Sequence, residues 1–505
     1  MRLFIALPAL LVGCEPAPVD FGDSLPGWAH PDDAVATVAD TLVPFGTDIA
    51  DLAGPPSTTY GKTPEIVVKA VGTDLYVLAH DYAFDPENPS FASPRGAKLL
   101  RLERTIDDYI ITQVIDPPSF LDRILGFDRG EDGALYVASA AVEFDVVDAT
   151  FPANDQYREG VVHVTRLSPA GALEMVVDLD VARAARAESE QVINPMTAST
   201  GRLAVGGGTI ALVHGINTTP DPAIDNRRHQ KALTTFIDDE TGDVSRLSTI
   251  WVSHSFDQRL FWDGTAFVEH HLGDAYPRHI AFARTNPNVD EGAREYPLLY
   301  IKGETGENTT RTSIGNVVAL PDSDDAAFLA VYATEPTSGT QPIGNGFNNT
   351  AGSREIAITR LKRNFEVMDL SKEMHLDESL PDTLEIVGGQ TPLKWLTNYH
   401  ETSQGTLNGD RPRIVDLGGD QFAVLWEQWH LNDAQTFEGT WGMVINSRGQ
   451  TLVDAREITQ NHIPRGDDMV ALPGQAAWVS GDPIRTALIV HTVDAELNYR
   501  TFLVE

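Results

Sequence analysis

The densest group of side chains that could do chemistry lies between residues 253 and 279. It combines imidazole, carboxylate and guanidinium groups: His254, Asp257, Arg259, His271, Asp274 and Arg278. Such groups can bind Zn²⁺ or a similar ion, and they can transfer protons near neutral pH. Strand alternation would place His270 and His271 on opposite faces, where both cannot reach one ion. The six residues are a candidate ligand-binding site, with catalysis as a second possibility, and the structural alternative is that they form turn hydrogen bonds and an ion pair of Arg259 or Arg278 with a carboxylate.

A second candidate group consists of Trp429 and His430, which follow an apolar strand pattern ending at Trp426. Indole faces stack on sugar rings or cations, and a nearby carboxylate such as Glu427 can orient hydroxyl groups. Trp426 is expected to pack between sheets, whereas Trp429 and His430 can face a loop surface. The stretch is therefore a candidate carbohydrate site, with core packing as the alternative.

No cofactor is predicted, although pairs of acidic residues such as Asp467–Asp468 and Asp238–Asp239 could hold Ca²⁺ through oxygen ligands. Exposed acidic turns explain these pairs equally well. The sequence contains no Gly-x-Ser-x-Gly elbow, no His-Glu-x-x-His helix, no EF-hand loop and no Ser-x-Asp-x-Gly-x-Thr-Trp box of the sialidase type. Its single cysteine also rules out a cysteine-rich metal site.

The elements that must position these groups form a repeated pattern in two parts. The first part is an alternating strand, a tight turn with Gly or Asp, and a second strand rich in β-branched and aromatic residues. It is clearest in residues 66–78 and 413–426. The other copies begin near Ile124, Arg202, Arg259, Asn316 and Asp468.

The second part of the pattern is another hairpin, with turns such as 168–171, 239–242 and 446–449 that suit positive φ or a tight reversal. Its copies are predicted at residues 97–115, 161–179, 231–250, 355–370, 441–458 and 485–504. Two hairpins make one four-stranded unit. The longest loops are expected at residues 81–96, 142–160, 218–229 and 334–354.

Four-stranded units that recur along a chain can bury both faces by stacking radially around an axis. We therefore predict an all-β fold, a single β-propeller of seven four-stranded blades over residues 61–505. A pair of β-sandwiches is the alternative. Residues 32–60 form an N-terminal extension, in which residues 35–53 either supply a closing strand to the last blade or cap a sheet edge.

The N-terminus predicts where the protein is located. Arg2 is followed by an apolar run over residues 3–12, too short to cross a membrane, and then by Gly13 and the sole cysteine, Cys14. Residues 11–14, Leu-Val-Gly-Cys, resemble the lipobox of bacterial lipoproteins. The resemblance implies cleavage before Cys14, lipid on its sulfur and acylation of its new amino group.

This assignment divides the N-terminal region into a signal peptide at residues 1–13 and an acylated cysteine with a flexible, proline-rich tether at residues 14–31. The expected location is the bacterial cell envelope. Inner or outer membrane, and periplasm or cell surface, remain open alternatives. The chain carries 73 acidic and 37 basic residues, a net charge of −36, which repels phosphate backbones and excludes nucleic acid as a partner.

Two functions fit these features. The favoured one is a membrane-anchored, non-catalytic module whose propeller binds a protein or glycan partner. The alternative is a lipid-anchored hydrolase or lyase acting on extracellular polysaccharide, with acid and base from different blades, because residues that meet only in space leave no local motif.

Overall fold

The computed structural model describes residues 66–84, 92–121, 123–142, 160–179, 194–195, 201–217, 230–247, 252–253, 258–273, 279–285, 295–301, 313–323, 326–334, 353–363, 384–386, 394–399, 406–430, 436–464, 467–482 and 487–504. The predicted signal peptide, tether and N-terminal extension lie outside these residues. Within them, no helix has the length and apolar character needed to cross a membrane.

The described residues form seven antiparallel sheets, each built from strands that are close in sequence. Blade 1 contains β1 (Ile66–Val71), β2 (Asp74–Phe84), β3 (Ala92–Arg104) and β4 (Tyr109–Ile115). Blade 2 contains β5 (Arg123–Arg129), β6 (Leu135–Val142), β7 (Gly160–Leu167) and β8 (Leu173–Asp178). Blade 3 contains β10 (Gly201–Gly206), β11 (Thr209–Asn217), β12 (Gln230–Asp238) and β13 (Val244–Leu247), with the short β9 (Asn194–Pro195) and β14 (Val252–Ser253) beside them.

Blade 4 contains β15 (Gln258–Trp262), β16 (Phe267–Gly273), β17 (His279–Thr285), β18 (Glu295–Ile301) and, at its edge, β22 (Leu384–Ile386). Blade 5 contains β19 (Ser313–Ser323), β20 (Ala326–Thr334), β21 (Glu355–Lys362) and β23 (Lys394–Trp395). Blade 6 contains β24 (Leu407–Gly418), β25 (Gln421–His430), β26 (Thr436–Ile445) and β27 (Thr451–Thr459). Blade 7 contains β28 (Val470–Leu472), β29 (Gln475–Asp482), β30 (Ala487–Asp494) and β31 (Tyr499–Val504).

Side chains alternate along each strand, so every blade packs one face against the preceding blade and the other face against the following blade, and the blades form a ring. In β2, Leu75 and Val77 pack against blade 7, whereas Tyr76 and Leu78 pack against blade 2. An apolar cluster fills each interface around the ring, including the one between blade 7 and blade 1. This closure confirms the predicted seven-bladed propeller and rules out a pair of sandwiches.

Blade 5 corrects one prediction. A hairpin was expected over residues 355–370, but the fourth strand comes from Lys394–Trp395, which pairs with Ala357 and Ile358 of β21. Trp395 also packs against the apolar cluster between blades 4 and 5, so burial of its ring favours this more distant segment. The four described strands of blade 7 come from residues 470–504, and residues 35–53, predicted to supply a closing strand or cap a sheet edge, lie outside the described residues.

The two ends of the blades differ. In each blade the first strand begins, and the second strand ends, at the same end of the sheet; in blade 1, for example, Ile66 at the start of β1 pairs with Ala79 in the second half of β2. We call this end of the propeller the loop face. The long loops predicted from the sequence all join second to third strands, so their flanking strand ends lie on this face. The opposite end, the turn face, carries tight reversals such as Gly207–Gly208, whose φ angles of 58° and 76° favour glycine.

Buried polar side chains are frequent in the half of the strands nearest the loop face. Examples from six blades are His80, His214, His271, Thr334, Glu355, Glu427 and Ser480. Buried polar groups need hydrogen-bond partners, so this half of the ring contains specific polar networks beside its apolar packing.

Candidate functional site

Three innermost strands carry an arginine at the same repeat position: Arg202 in β10, Arg259 in β15 and Arg413 in β24. Each guanidinium is buried and donates from Nη1 to the carbonyl oxygen of the residue before it, at 2.8, 2.8 and 2.9 Å respectively. The same bond in three blades shows that the repeat itself builds this position. It brings cationic groups toward the axis, where the inner strands converge.

Side chains at this position also connect neighbouring blades from blade 4 to blade 7. Arg259 donates from Nη2 to the carbonyl of Ile314 in blade 5, at 3.0 Å. Asn316 of blade 5 then bonds both backbone groups of Ile414 in blade 6, donating at 2.6 Å and accepting at 2.7 Å. Arg413 of blade 6 donates from Nε to the carbonyl of Asp467, before blade 7, at 3.0 Å.

Two carboxylates complete the connections at blades 1, 2 and 3. Asp467 accepts from the backbone N–H of Val68 in blade 1, at 2.8 Å. Asp128 of blade 2 lies 3.3 Å from Lys69 Nζ in blade 1 and accepts from the N–H of Val205 in blade 3, at 2.9 Å. Polar bonds thus link neighbouring blades through most of the circle.

One ion pair crosses the ring instead of following it. Arg259 Nε lies 2.9 Å from Asp468 Oδ1, although blades 4 and 7 are not neighbours. The pair spans the axis and closes the centre of the propeller at this level. We call the charged side chains gathered here the axial cluster: Lys69, Asp128, Arg202, Arg259, Arg413, Asp467 and Asp468.

A cavity of about 110 Å³ lies beside this ion pair. Its wall comes from five blades: Val67, Val68, Lys69, Gly126, Phe127, Gly201, Arg202, Leu203, Leu260, Asp467, Asp468, Met469 and Val470. Arg202 and Asp468 lie at or beside the loop-face ends of their inner strands. The cavity therefore combines carboxylates, cations and apolar groups at the axis.

Asp467 and Asp468 are neighbours in sequence but have opposite electrostatic surroundings. Desolvation, reinforced by the charge of Asp468, raises the pKa of Asp467 to about 6. Desolvation acts on Asp468 too, but the charges of Arg259, Arg202 and other cations outweigh it and lower the pKa of that carboxyl. An acid and a carboxylate side by side are the groups that proton-transfer chemistry requires.

The acidic pairs considered for Ca²⁺ have other partners in the structure. Asp467 and Asp468 lie among cations, and Asp238 Oδ1 accepts the backbone N–H groups of Glu240 and Thr241. Within the described residues, no group of three or more His, Cys, Asp or Glu side chains is placed to hold a metal ion.

The group predicted around blade 4 is divided between surfaces. Arg259 lies in the axial cluster, where it forms the arginine–carboxylate pair given above as the alternative, whereas His271 faces away from it. His271 Nδ1 lies 3.8 Å from Glu269 Oε1, and Glu269 accepts a 2.6 Å hydrogen bond from Thr234 of blade 3. His270 stacks on Phe282 on the opposite side, as strand alternation predicts. His254, Asp257, Asp274 and Arg278 lie outside the described residues.

The second predicted group is largely used in packing. Trp426 is fully buried between blades 5 and 6, as expected. Trp429 is only 2% exposed and donates from Nε1 to Glu427 Oε2 at 3.0 Å. Glu427 Oε1 accepts from Arg411 at 3.0 Å and from the N–H of Ile463 at 2.8 Å. His430, at the end of β25, is partly exposed.

Blade 7 contains a chain of polar groups that resembles a nucleophile, its base and an orienting group. Ser480 Oγ lies 2.7 Å from His491 Nε2, and His491 Nδ1 lies 2.7 Å from Tyr499 Oη. Desolvation lowers the pKa of His491 to about 3, so the imidazole is a weak base. Its stacking on Trp478, with ring centroids 4.7 Å apart, indicates a structural role.

Sequence reasoning missed Arg202, Arg413, Asp467 and Lys69 as members of one site. A signal for part of the axial cluster was nevertheless present, because three copies of the repeated strand begin with Arg and another begins with Asp468. An identical residue at one repeat position is placed identically around a ring. Lys69 carried no such signal, since it lies later in its strand.

No protein-family model matches the chain, and no curated protein matches its sequence. Solved structures do resemble it. Trypanosoma rangeli sialidase in complex with the inhibitor DANA has 10% identity and a TM-score of 0.37, covering 75% of this chain and 54% of the sialidase. An ulvan lyase has 11% identity and a TM-score of 0.42, covering 74% and 81%.

Prolyl oligopeptidase B from Galerina marginata, bound to a 35mer substrate, has 10% identity and a TM-score of 0.39, covering 90% of this chain and 52% of the oligopeptidase. The chain spans about half the length of the sialidase and of the oligopeptidase. It spans most of the ulvan lyase.

Proposed function

We propose that the protein is a lipid-anchored envelope module whose propeller binds a glycan or protein partner at the loop face without catalysing a reaction. One observation carries the proposal: the long connections between second and third strands all leave and re-enter the ring at that face, around an axial cavity. Binding residues are commonly placed on loops that a rigid scaffold positions. The bonds that link the blades provide such a scaffold.

The anchor in this proposal is supported by the sequence of residues 1–14. Each buried methylene contributes about 0.8 kcal/mol to membrane affinity, so several acyl chains on Cys14 would hold the protein durably. The tether of residues 14–31 would separate the propeller from the lipid surface. The partner would then be another component of the envelope.

A second candidate, the hydrolase or lyase, is favoured by Asp467 and Asp468. Their opposite pKa displacements leave one side chain able to donate a proton and the other able to accept one within the same cavity. Against catalysis, Asp467 Oδ2 is held by the Val68 N–H, and Asp468 is held by Arg259. These contacts fix both carboxyl groups in the ring.

The two candidates separate in one experiment on the full chain in detergent. We expect saturable binding to members of a panel of envelope polysaccharides and proteins, measured by interferometry, and no new reducing ends or unsaturated products. Turnover that disappears in Asp467→Asn and Asp468→Asn, but persists in the turn variant Asp238→Asn, would instead establish the enzyme. Absence of any binding would refute the proposed module.

A further inference from the structure

The wall of the axial cavity presents hydrogen-bond donors and acceptors together. Lys69 and Arg202 supply cationic N–H groups, and Asp467 and Asp468 supply carboxylate oxygens. Asp467 is 8% exposed, and its Oδ2 accepts the Val68 N–H. Neither Oδ1 of Asp467 nor Oδ2 of Asp468 accepts a hydrogen bond from the part of the chain that the structure describes. Two residues that line the cavity, Asp467 and Asp468, therefore each have an oxygen that can accept a hydrogen bond from a ligand.

This mixture of charges selects among ligand groups. A carboxylate ligand would face the charges of Asp467 and Asp468, and an ammonium ligand would face Lys69 and Arg202. A hydroxyl group meets neither conflict, because it donates to a carboxylate and accepts from an ammonium or guanidinium. The lining therefore favours an uncharged ligand that carries several hydroxyl groups.

The volume of the cavity and the apolar part of its wall restrict the class of possible ligands further. Holding one water takes about 10–15 Å³ of such space, so a cavity of about 110 Å³ has room for several groups of the size of a water molecule. Pockets that enclose a whole drug-sized ligand begin at about 300 Å³. Leu203, Leu260 and Met469 add apolar contacts suited to C–H groups. One edge of a sugar ring fits these limits, whereas a complete ring does not.

We propose that the axial cavity binds the hydroxyl-bearing edge of one uncharged sugar residue, while the rest of the glycan lies over the loop face. This inference rests on the proposed binding function and narrows its partner to a glycan with an uncharged sugar at the contact. Asp467 and Asp468 accept from the sugar hydroxyls. Lys69 and Arg202 donate to them.

Ligand-observed NMR on the full chain in detergent tests this assignment. The probes are methyl glycosides of uncharged hexoses, matched dideoxy analogues that lack two adjacent hydroxyls, and the corresponding hexuronates. We expect saturation transfer to at least one hexoside, with binding at least tenfold weaker for its dideoxy analogue and for the hexuronate. A site that hydrogen-bonds hydroxyl groups rejects analogues lacking them, because its polar groups lose their partners.

Two variants block the cavity in independent ways. Asp467→Asn removes a charge, and Val470→Phe fills space without altering a charged group. Each should weaken hexoside binding at least tenfold, provided that near-UV circular dichroism shows a native fold. Val114→Phe makes the same apolar change on the exposed outer strand of blade 1 and should bind within twofold of the wild type.

Hexoside binding that is unchanged in both folded cavity variants would overturn the assignment of the cavity and leave the proposed module intact. If the wild-type chain binds a polysaccharide or protein but no methyl hexoside, the assignment of the cavity is likewise overturned and the proposed module stays intact. A wild-type chain that binds no glycoside, polysaccharide or envelope protein would refute the proposed function together with this inference.

Discussion

Arg202, Arg259 and Arg413 show how much one side chain contributes at this repeat position. A guanidinium has five N–H donors in a planar fork, so it can bond its own strand and a neighbouring blade at once. Arg259 does so, with bonds to Gln258 and Ile314. A lysine ammonium has three donors on one atom and cannot match this geometry, so Arg→Lys at these positions would not be conservative.

Buried histidines are a second feature of individual residues. Desolvation lowers the pKa of His80 to about 4 and those of His270 and His491 to about 3. All three are therefore neutral inside the folded ring near neutral pH. Asp467 has the opposite property, since its raised pKa, about 6, lets the folded protein hold a proton that the unfolded chain releases.

These groups predict how stability depends on pH. As pH falls below the ordinary histidine value of 6.5, the unfolded chain binds protons that the buried histidines refuse, so the free energy of unfolding decreases toward about pH 4. Each such histidine contributes a slope of about 1.4 kcal/mol per pH unit. Asp467 opposes this trend between its ordinary value of 3.8 and about 6. Urea unfolding from pH 7 to pH 4.5 measures the net slope.

Single variants separate the two contributions to the slope. His491→Asn should reduce the slope of the free energy of unfolding against pH by the contribution of one histidine, about 1.4 kcal/mol per pH unit. Asp467→Asn should increase it, because the opposing group is gone. Equal slopes in the wild type and both variants would show that neither side chain titrates as stated.

The sequence indicated some of these residues and could not indicate others. The arginines recur at one position of a visible repeat, so their common placement follows once a ring is assumed. The pairing of Arg259 with Asp468 does not follow, because the two residues meet only when blades 4 and 7 face each other across the axis. The separation of His270 from His271 was predictable, since it depends only on strand alternation.

Among the strands, close approach of neighbouring blades depends on glycine. A Cβ at Gly201 would overlap the backbone of Leu125 in blade 2, and one at Gly206 would overlap the ring of Trp262 in blade 4. Blade 3 therefore contacts blade 2 and blade 4 closely at two glycines, where any larger residue would overlap the neighbouring blade. Backbone atoms cannot move aside as a flexible side chain can.

Gly201→Ala should therefore destabilise the propeller by about 3 kcal/mol, at the upper end of ordinary overpacking, because the contact is with backbone. Urea unfolding of the purified chain measures this loss. Gly130→Ala is the control, since its Cβ would meet side-chain atoms of Asp132 and Tyr136 instead of backbone, and it should cost less, about 1 kcal/mol. Similar values for the two variants would contradict the proposed role of Gly201.

The first hairpin of every blade was located correctly from the sequence, whereas the second hairpin of blade 4, β17 with β18, was not predicted. Turn glycines such as Gly171, Gly242 and Gly449 have φ angles of 87°, 75° and 69°, as their motifs predicted. The fourth strand of blade 5 was missed for a physical reason. Residues 394–395 pair with β21 from a distance along the chain, and a local pattern contains no information about such pairing.

For the molecule as a whole, closure of the ring relies on packing between complete blades. Leu75 and Val77 of blade 1 lie against Ala477 and Val479 of blade 7. Asp467 adds its bond to Val68 across the same junction. Contacts among the described residues thus join blade 7 to blade 1.

The proposed lipid anchor predicts that loss of lipidation changes the location of the protein and leaves its fold unchanged. Cys14→Ala should abolish labelling by a palmitate analogue and move the protein from the membrane to the soluble fraction, because the sulfur that receives the lipid is lost. Circular dichroism of the released chain should match that of the wild type. Ser24→Ala, in the tether, should remain lipidated and membrane-bound. Undiminished labelling of Cys14→Ala would refute the lipoprotein assignment.

The ion pair between Arg259 and Asp468 also imposes an order on biosynthesis. The arginines of blades 3, 4 and 6 are made before Asp467 and Asp468, so most of the chain must be synthesised before their counter-charges exist. A nascent chain that stops short of blade 7 would have to bury guanidinium groups without these carboxylates, which is unfavourable. Asp467 and Asp468 are thus the last charged groups of the axial cluster to be synthesised, and only a chain that includes them can form the ion pair across the axis.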